Sequence, residues 1–193
     1  MPDLIHTLQG NDLSFLKMVA GNWGIELTAP DAYTALPQLV NGMNDRQLVI
    51  EIVESLPAES RQALQELMAH EARLPWARFQ RRYGEVRSMG PGRRDRDRPD
   101  LNPISPAEIL WYRALIGRVF MTLGPEPQEY AYIPDELSMV LSNLANESTF
   151  SAGRPATPLE CTCSKLAGDA ILDDACTLLA ALRIGQSLAE ISD

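Results

Sequence analysis

Three cysteines in 193 residues, an odd number, argue against a disulfide framework and fit a reducing, cytoplasmic setting. No apolar run approaches the roughly 20 residues needed to span a bilayer, so no membrane association is expected. The N-terminal stretch carries Asp3 and Asp12 and has no basic region before an apolar block, so no signal peptide is expected. Recognisable chemistry is equally scarce. No glycine-rich loop ends in Lys-Ser or Lys-Thr, which excludes the usual phosphate cradle of a nucleotide-driven motor. Cys161, Cys163 and Cys176 match no standard zinc spacing, and His6 and His70 lie far from them in sequence. Asp173 and Asp174 are adjacent, so on a helix their carboxylates diverge. The remaining Ser, His and Asp residues form no nucleophile motif. The expectation is a protein without catalysis, metal or cofactor, and with no evident small-molecule substrate.

Basic charge is scarce too, except in one place. Net charge is −9, which disfavours general nucleic-acid binding. Residues 1–72 hold three basic and ten acidic side chains, and residues 99–193 hold five and thirteen. Residues 73–98 carry nine arginines against Glu85, Asp95 and Asp97, a net of +6. The asymmetry is more informative than the total.

What is present is a mainly α pattern. In residues 1–55 three helices are expected. One is capped by Asn11 or Asp12, with Leu13, Leu16, Ala20 and Trp23 at helical spacing and Gly24 ending it. A second, around Asp31 to Val40, must kink or restart at Pro37, and a third is capped by Asn44. Pro57 opens a helix to about His70 on the stripe Ala63, Leu64, Leu67 and Met68. Pro75 opens another, with Trp76, Phe79 and Tyr83 on one side, Arg78, Arg81 and Arg82 elsewhere, and Gly84 at its end. About twenty residues rich in Gly, Pro and charge follow. So long a loop in a compact domain is either functional or conceals an element.

Ser105 to Pro134 organises the rest. Ser105 caps a helix expected to reach Gly117, Pro106 suits its first position, and Glu108 completes a capping box. Ile104 and Ile109 are placed for a hydrophobic staple. Then come Val119 to Thr122, a Gly124-Pro125-Glu126-Pro127 turn and Glu129 to Ile133, which read as a hairpin. Helix followed by hairpin is how a winged helix ends. A short helix from Asp135 to Leu144, a polar linker over 145–168 and a last helix from Asp169 complete the pattern. That last helix carries Leu172, Ala175, Cys176, Leu179 and Leu182 on one face, a stripe it cannot bury alone. No internal repeat is evident.

Several runs carry a resemblance: Leu74-Pro-Trp-Ala-Arg-Phe, Tyr83-Gly-Glu-Val-Arg, Met89-Gly-Pro-Gly-Arg-Arg, Leu101-Asn-Pro, Ser105-Pro-Ala-Glu, Leu110-Trp-Tyr-Arg-Ala-Leu-Ile and Tyr132-Ile-Pro-Asp-Glu-Leu. Together they resemble helicase-associated domain proteins, bacterial relatives of the N-terminal region of XPB-type DNA helicases. The resemblance covers about residues 56–141 and extends more loosely on both sides. It implies a winged-helix (helix-turn-helix plus hairpin) domain over 56–144 and the start of a further domain over 169–193, in a setting of nucleic-acid transactions. It brings no catalytic residues. Residues 1–55 resemble a SAP or Rho-N type helical unit, although the Asp31–Val40 helix lacks the basic side chains by which such units bind nucleic acid.

The candidate nucleic-acid contacts are Arg78, Arg81, Arg82, Arg93, Arg94, Arg96 and Arg98, assisted by Arg113 and Arg118. Guanidinium groups fork onto phosphates, and Trp76, Tyr83 and Trp111 are aromatic neighbours suited to stacking. Two readings stay open. In one, the chain is a non-catalytic DNA-associated module that uses the arginine loop on the backbone or positions a helicase-type partner. In the other, it is a protein-interaction adaptor docking through the winged helix without nucleic acid. The run Arg93-Arg94-Asp95-Arg96-Asp97-Arg98 alternates in sign, so its charges can also satisfy one another. The helix after Ser105 is expected to expose only Glu108, Tyr112, Arg113 and Arg118, which suits a buried or protein-facing helix better than a base reader.

Overall fold

The computed structural model describes residues 2–122, 127–148 and 170–183. The chain divides into two compact units, Met1–Phe150 and Ser151–Asp193. The expected boundary at residues 55 and 56 therefore falls inside the first unit.

Four helices open that unit: α1 (Leu4–Leu8), α2 (Leu13–Trp23), α3 (Ala32–Met43) and α4 (Arg46–Ser55). Each starts from an aspartate, Asp3, Asp12, Asp31 and Asp45 in turn, whose carboxylate accepts a first-turn backbone N–H. Helix α1 is an addition to the three expected; five residues are too few to show a period. Asp45, not Asn44, caps α4 because its carboxylate accepts from both Gln47 and Leu48 N–H. Helix α3 runs through Pro37 without a restart. The carbonyl that proline leaves without its helical donor is that of Tyr33, a residue 89% exposed.

The chain continues as α5 (Ala58–Ala69), β1 (Arg73–Pro75), α6 (Trp76–Tyr83), α7 (Pro91–Asp97), α8 (Pro106–Trp111), β2 (Gly117–Met121), β3 (Gln128–Tyr132) and α9 (Asp135–Ser148). The molecule is mainly helical, with one antiparallel sheet in the order β1-β3-β2. Strand β1 has three residues and only Leu74 fully buried, too little for an alternating pattern. In the hairpin, Gly117 stands opposite Tyr132, and a Cβ there would lie 2.4 Å from the tyrosine ring. Tyr130 and Tyr132 are both buried. Of the expected turn, Gly124, Pro125 and Glu126 lie outside the described residues. Helix α9 extends four residues into the stretch expected as linker.

Helix α8 stops at Trp111, six residues before the expected end at Gly117. Ala114 adopts φ +49°, its N–H donating to Trp111 O and the next, Leu115 N–H, to Leu110 O. Tyr112, Ala114, Leu115 and Ile116 are all buried. A helix would spread those residues around its circumference, whereas the turn sends them all into the core. Ile104 is 62% exposed, so the staple with Ile109 gives way to a polar entry. Ser105 Oγ accepts from Glu108 N–H at 3.1 Å, and Glu108 Oε2 accepts from Ile104 N–H at 2.9 Å.

The second unit contributes α10 (Ala170–Arg183), on which Leu172, Leu178, Leu179 and Cys176 are exposed. Cys161 and Cys163 lie outside the described residues. No described helix is long and apolar enough to cross a membrane.

Candidate interaction surface

The glycine- and charge-rich stretch after α6 contains a helix, α7, and its arginines face carboxylates. Arg94 is 7% exposed, with NH2 2.6 Å from Asp12 Oδ1 and 3.3 Å from Asp95 Oδ1. Asp95 also accepts from Ser14 Oγ at 2.7 Å, so α7 is clasped to α2 by two bonds. Burial, the largest influence on Asp12, raises its pKa. The Arg94 hydrogen bond and the Phe15 N–H outweigh it and leave the carboxyl below its ordinary value. Arg98 forks onto Asp100 through Nε at 2.9 Å and NH2 at 2.6 Å. Arg93 pairs with Asp97 at 3.0 Å, and Arg96 stands 3.7 Å from the same residue.

On α6, Arg82 pairs with Glu66 of α5 at 2.9 Å, and Arg78 lies 3.6 Å from that carboxylate. Tyr83 donates its hydroxyl to Glu66 as well. Burial and this carboxylate push the Tyr83 phenol up to about 12, while the tyrosine bond holds Glu66 below its ordinary value. Arg118 of β2 lies 3.8 Å from Glu129 across the hairpin, its guanidinium 5.5 Å from the Trp76 ring centroid. Arg113 donates to Ile109 O at 3.3 Å, and burial lowers its pKa. Arg81 is exposed and has no hydrogen bond or ion pair with the described residues. Seven of the nine candidate arginines thus have a carboxylate within 4.0 Å.

Two residues central to this arrangement were not evident as such in the sequence. Glu108, expected on an exposed face, is fully buried, and Tyr112 is 3% exposed. Arg87 reaches Glu108 with Nε and NH2 at 2.8 to 3.1 Å, and its backbone N–H donates to the same carboxylate. The Glu108 hydrogen bond, the largest influence, raises the Arg87 pKa. This pair fixes the start of the α6–α8 connection. The capping motif located Glu108, but no local pattern reveals a partner 21 residues away.

The aromatic residues expected as stacking platforms pack on one another. Trp76 lies against Phe79 at 6.2 Å and edge-on to Trp111 at 5.9 Å. The module α1–α4 joins the rest through Trp23 Nε1–H to Arg113 O at 2.8 Å, Asn22 to Tyr112 O at 2.9 Å, and the hydroxyls of Thr7 and Tyr132, 2.8 Å apart.

Two apolar clefts lie outside these contacts. A groove of about 540 Å³ runs between α1, α2 and α3, lined by Ile5, Leu8, Leu16, Tyr33, Leu36 and Pro37 among others. Ile5 is 45% and Tyr33 89% exposed, and α3 has no charged residue from Ala32 to Met43. A second apolar cleft of about 470 Å³ lies among α4, α5 and α9. Among the described residues no cluster of His, Cys, Asp and Glu side chains is arranged to hold a metal ion. Comparison of the chain with protein-family models, curated proteins and solved structures gave no match.

Proposed function

We propose that the protein is a non-catalytic adaptor that docks a protein partner on its helical surface, its arginine-rich segment acting as an internal clasp. The observation that carries this reading is the pairing of seven of nine candidate arginines with carboxylates of the same chain. A guanidinium already forked onto an aspartate must break that contact before it can take a phosphate. The apolar groove beside an uncharged α3, with Tyr33 at its rim, has the composition of a docking patch.

The order α5, β1, α6, α8, β2, β3, with the short α7 inserted between α6 and α8 and β1 paired to the hairpin, supports the winged-helix reading of residues 56–144. In that frame α8 occupies the position of a recognition helix. Ala107, Glu108 and Leu110 on it are buried, which favours a structural role for α8 over base reading. The helicase-associated setting enters as the context in which such an adaptor would recruit or position other proteins.

Anisotropy titration with duplex and single-stranded DNA tests the choice. The wild type is compared with a variant in which the exposed Arg78, Arg81, Arg82, Arg93 and Arg96 are changed to Ala. The adaptor reading expects no saturable binding at about 50 mM salt, where phosphate contacts are strong. Saturable binding that falls steeply with salt and is lost in the variant overturns it in favour of the DNA-associated module.

A further inference from the structure

A cavity of about 220 Å³ lies where α2, α6, α8 and β2 meet the start of the α6–α8 connection, and its walls include Trp76, Gln80, Ser88, Arg94, Tyr112 and Arg118. It is separate from the apolar groove and opposite in character. Every charged residue lining it is an arginine, and no carboxylate lines it. Tyr112 is 3% and Trp76 7% exposed, and neither the phenol O–H nor the indole N–H donates to a described residue, although of the polar atoms lining the cavity only Arg94 Nε is both buried and unpartnered. Arg94, whose side chain is 9% exposed, carries a buried Nε that is also unpartnered.

A buried donor is normally satisfied, so the unpartnered Arg94 Nε at this cavity calls for an acceptor, and the Trp76 N–H and Tyr112 O–H are further donors in the same lining. An indole N–H and a guanidinium only donate, and a phenol donates readily. The common complement of these groups is an acceptor with negative charge. Arg118 supplies the accessible cation. Its link to Glu129 is 3.8 Å long and half exposed, so an incoming anion displaces a weak contact. The volume is below the range of about 300–1,000 Å³ typical of sites for larger ligands, and suits a single tetrahedral or planar group on a short stem.

We propose that this cavity binds a small oxyanion, a phosphate or a carboxylate, held by Arg118, by the unpartnered Nε of Arg94 while its terminal nitrogen stays on Asp12, and by the Trp76 N–H and Tyr112 O–H. The inference is independent of the adaptor reading: a bound phosphate or carboxylate is compatible with either outcome of the DNA titration.

The test follows the indole N–H resonances of the full chain by NMR during titration with inorganic phosphate and, separately, with acetate, against chloride at matched ionic strength. Trp23, whose N–H is bonded to Arg113 O, is the internal reference. A saturable shift of the Trp76 signal is expected with at least one anion. Saturation by phosphate alone identifies a phosphate source, and saturation by acetate alone a carboxylate source. Arg118→Gln, at a half-exposed position, should weaken binding about tenfold or more, as loss of a charged hydrogen bond does. Tyr112→Phe, which keeps the ring against Phe15 5.9 Å away, should weaken it several-fold, on the order of a neutral hydrogen bond. Both variants are checked for an unchanged thermal transition. Absence of a saturable shift with either anion overturns the proposal, as does a shift of equal affinity in both folded variants.

Discussion

Glu108 shows how one buried charge is made tolerable. Its carboxylate accepts from two backbone N–H groups and forks with Arg87, so desolvation is offset by several charge-assisted bonds. Removing it leaves Arg87 and the Ile104 N–H unsatisfied. Glu108→Ala is expected to destabilise the fold by about 3–5 kcal/mol in urea unfolding, the usual cost of breaking one side of a buried pair. Gly84 is constrained differently. It sits at φ +85°, and an added Cβ would lie 2.5 Å from the Ser105 Cβ. Gly84→Ala should therefore cost about 1–3 kcal/mol, while Gly92→Ala, with open space around it on α7, should stabilise by up to about 1 kcal/mol. The same urea curves check both, and equal effects at the two glycines would count against this explanation.

At the scale of elements, α7 and α2 depend on each other. Asp12 both caps α2 and receives Arg94. Asp12 and Glu66 are held below their ordinary values in the folded chain. A group with a depressed folded pKa contributes stability above its unfolded pKa and loses it as pH falls through the folded value. Stability should therefore decline on acidification from about pH 5 downward, where unfolded carboxyls begin to protonate. Tyr83 works in the opposite direction: its pKa is raised to about 12, so its contribution is full below about 10 and is lost as pH rises through about 12. Thermal midpoints across pH check both windows. A midpoint insensitive to pH from about 5 to 3 would contradict the role given to the carboxylates.

These elements also show what the sequence could reveal. Helices α2, α5 and α6 announce themselves by apolar period and by the Asp12, Pro57 and Pro75 that open them, and the hairpin by its alternation. Strand β1 and helix α1 are too short to show a period, and their places are fixed by partners: Pro2 O accepts from Asp135 N–H, and Arg73 pairs with Tyr132. The strong capping signals of α8 mark its start, but its end at Trp111 is set by core packing around Ala114, which no local pattern shows. The arginines are legible as a cluster. Their partners Asp12, Glu66 and Glu108 are not, because each lies 12 or more residues away from the arginines it meets.

For the whole molecule, the charge pattern of the sequence becomes a structural device. Within the first unit the basic segment meets Asp12 and Glu66 before it and Asp100 and Glu108 after it, and spends most of its charge within the chain. Beside this mostly paired segment, the α1–α3 groove is an apolar patch on the first unit. Tyr33, 89% exposed at the rim of the α1–α3 groove, should be expendable for folding. Tyr33→Ser is expected to change unfolding free energy by less than about 0.5 kcal/mol, as an exposed position does. A larger loss would show that the groove is closed in solution.

The central claim, that the arginine segment serves the fold as a clasp, is most directly tested by a double-mutant cycle on Asp12 and Arg94. Asp12→Asn, Arg94→Gln and the double variant are compared with the wild type in urea unfolding. Because Asp12 is 40% exposed, solvent weakens the pair, and a coupling of about 1–2 kcal/mol is expected. Losses that add within about 0.5 kcal/mol would show that the two side chains do not hold α7 to α2, and would contradict the claim.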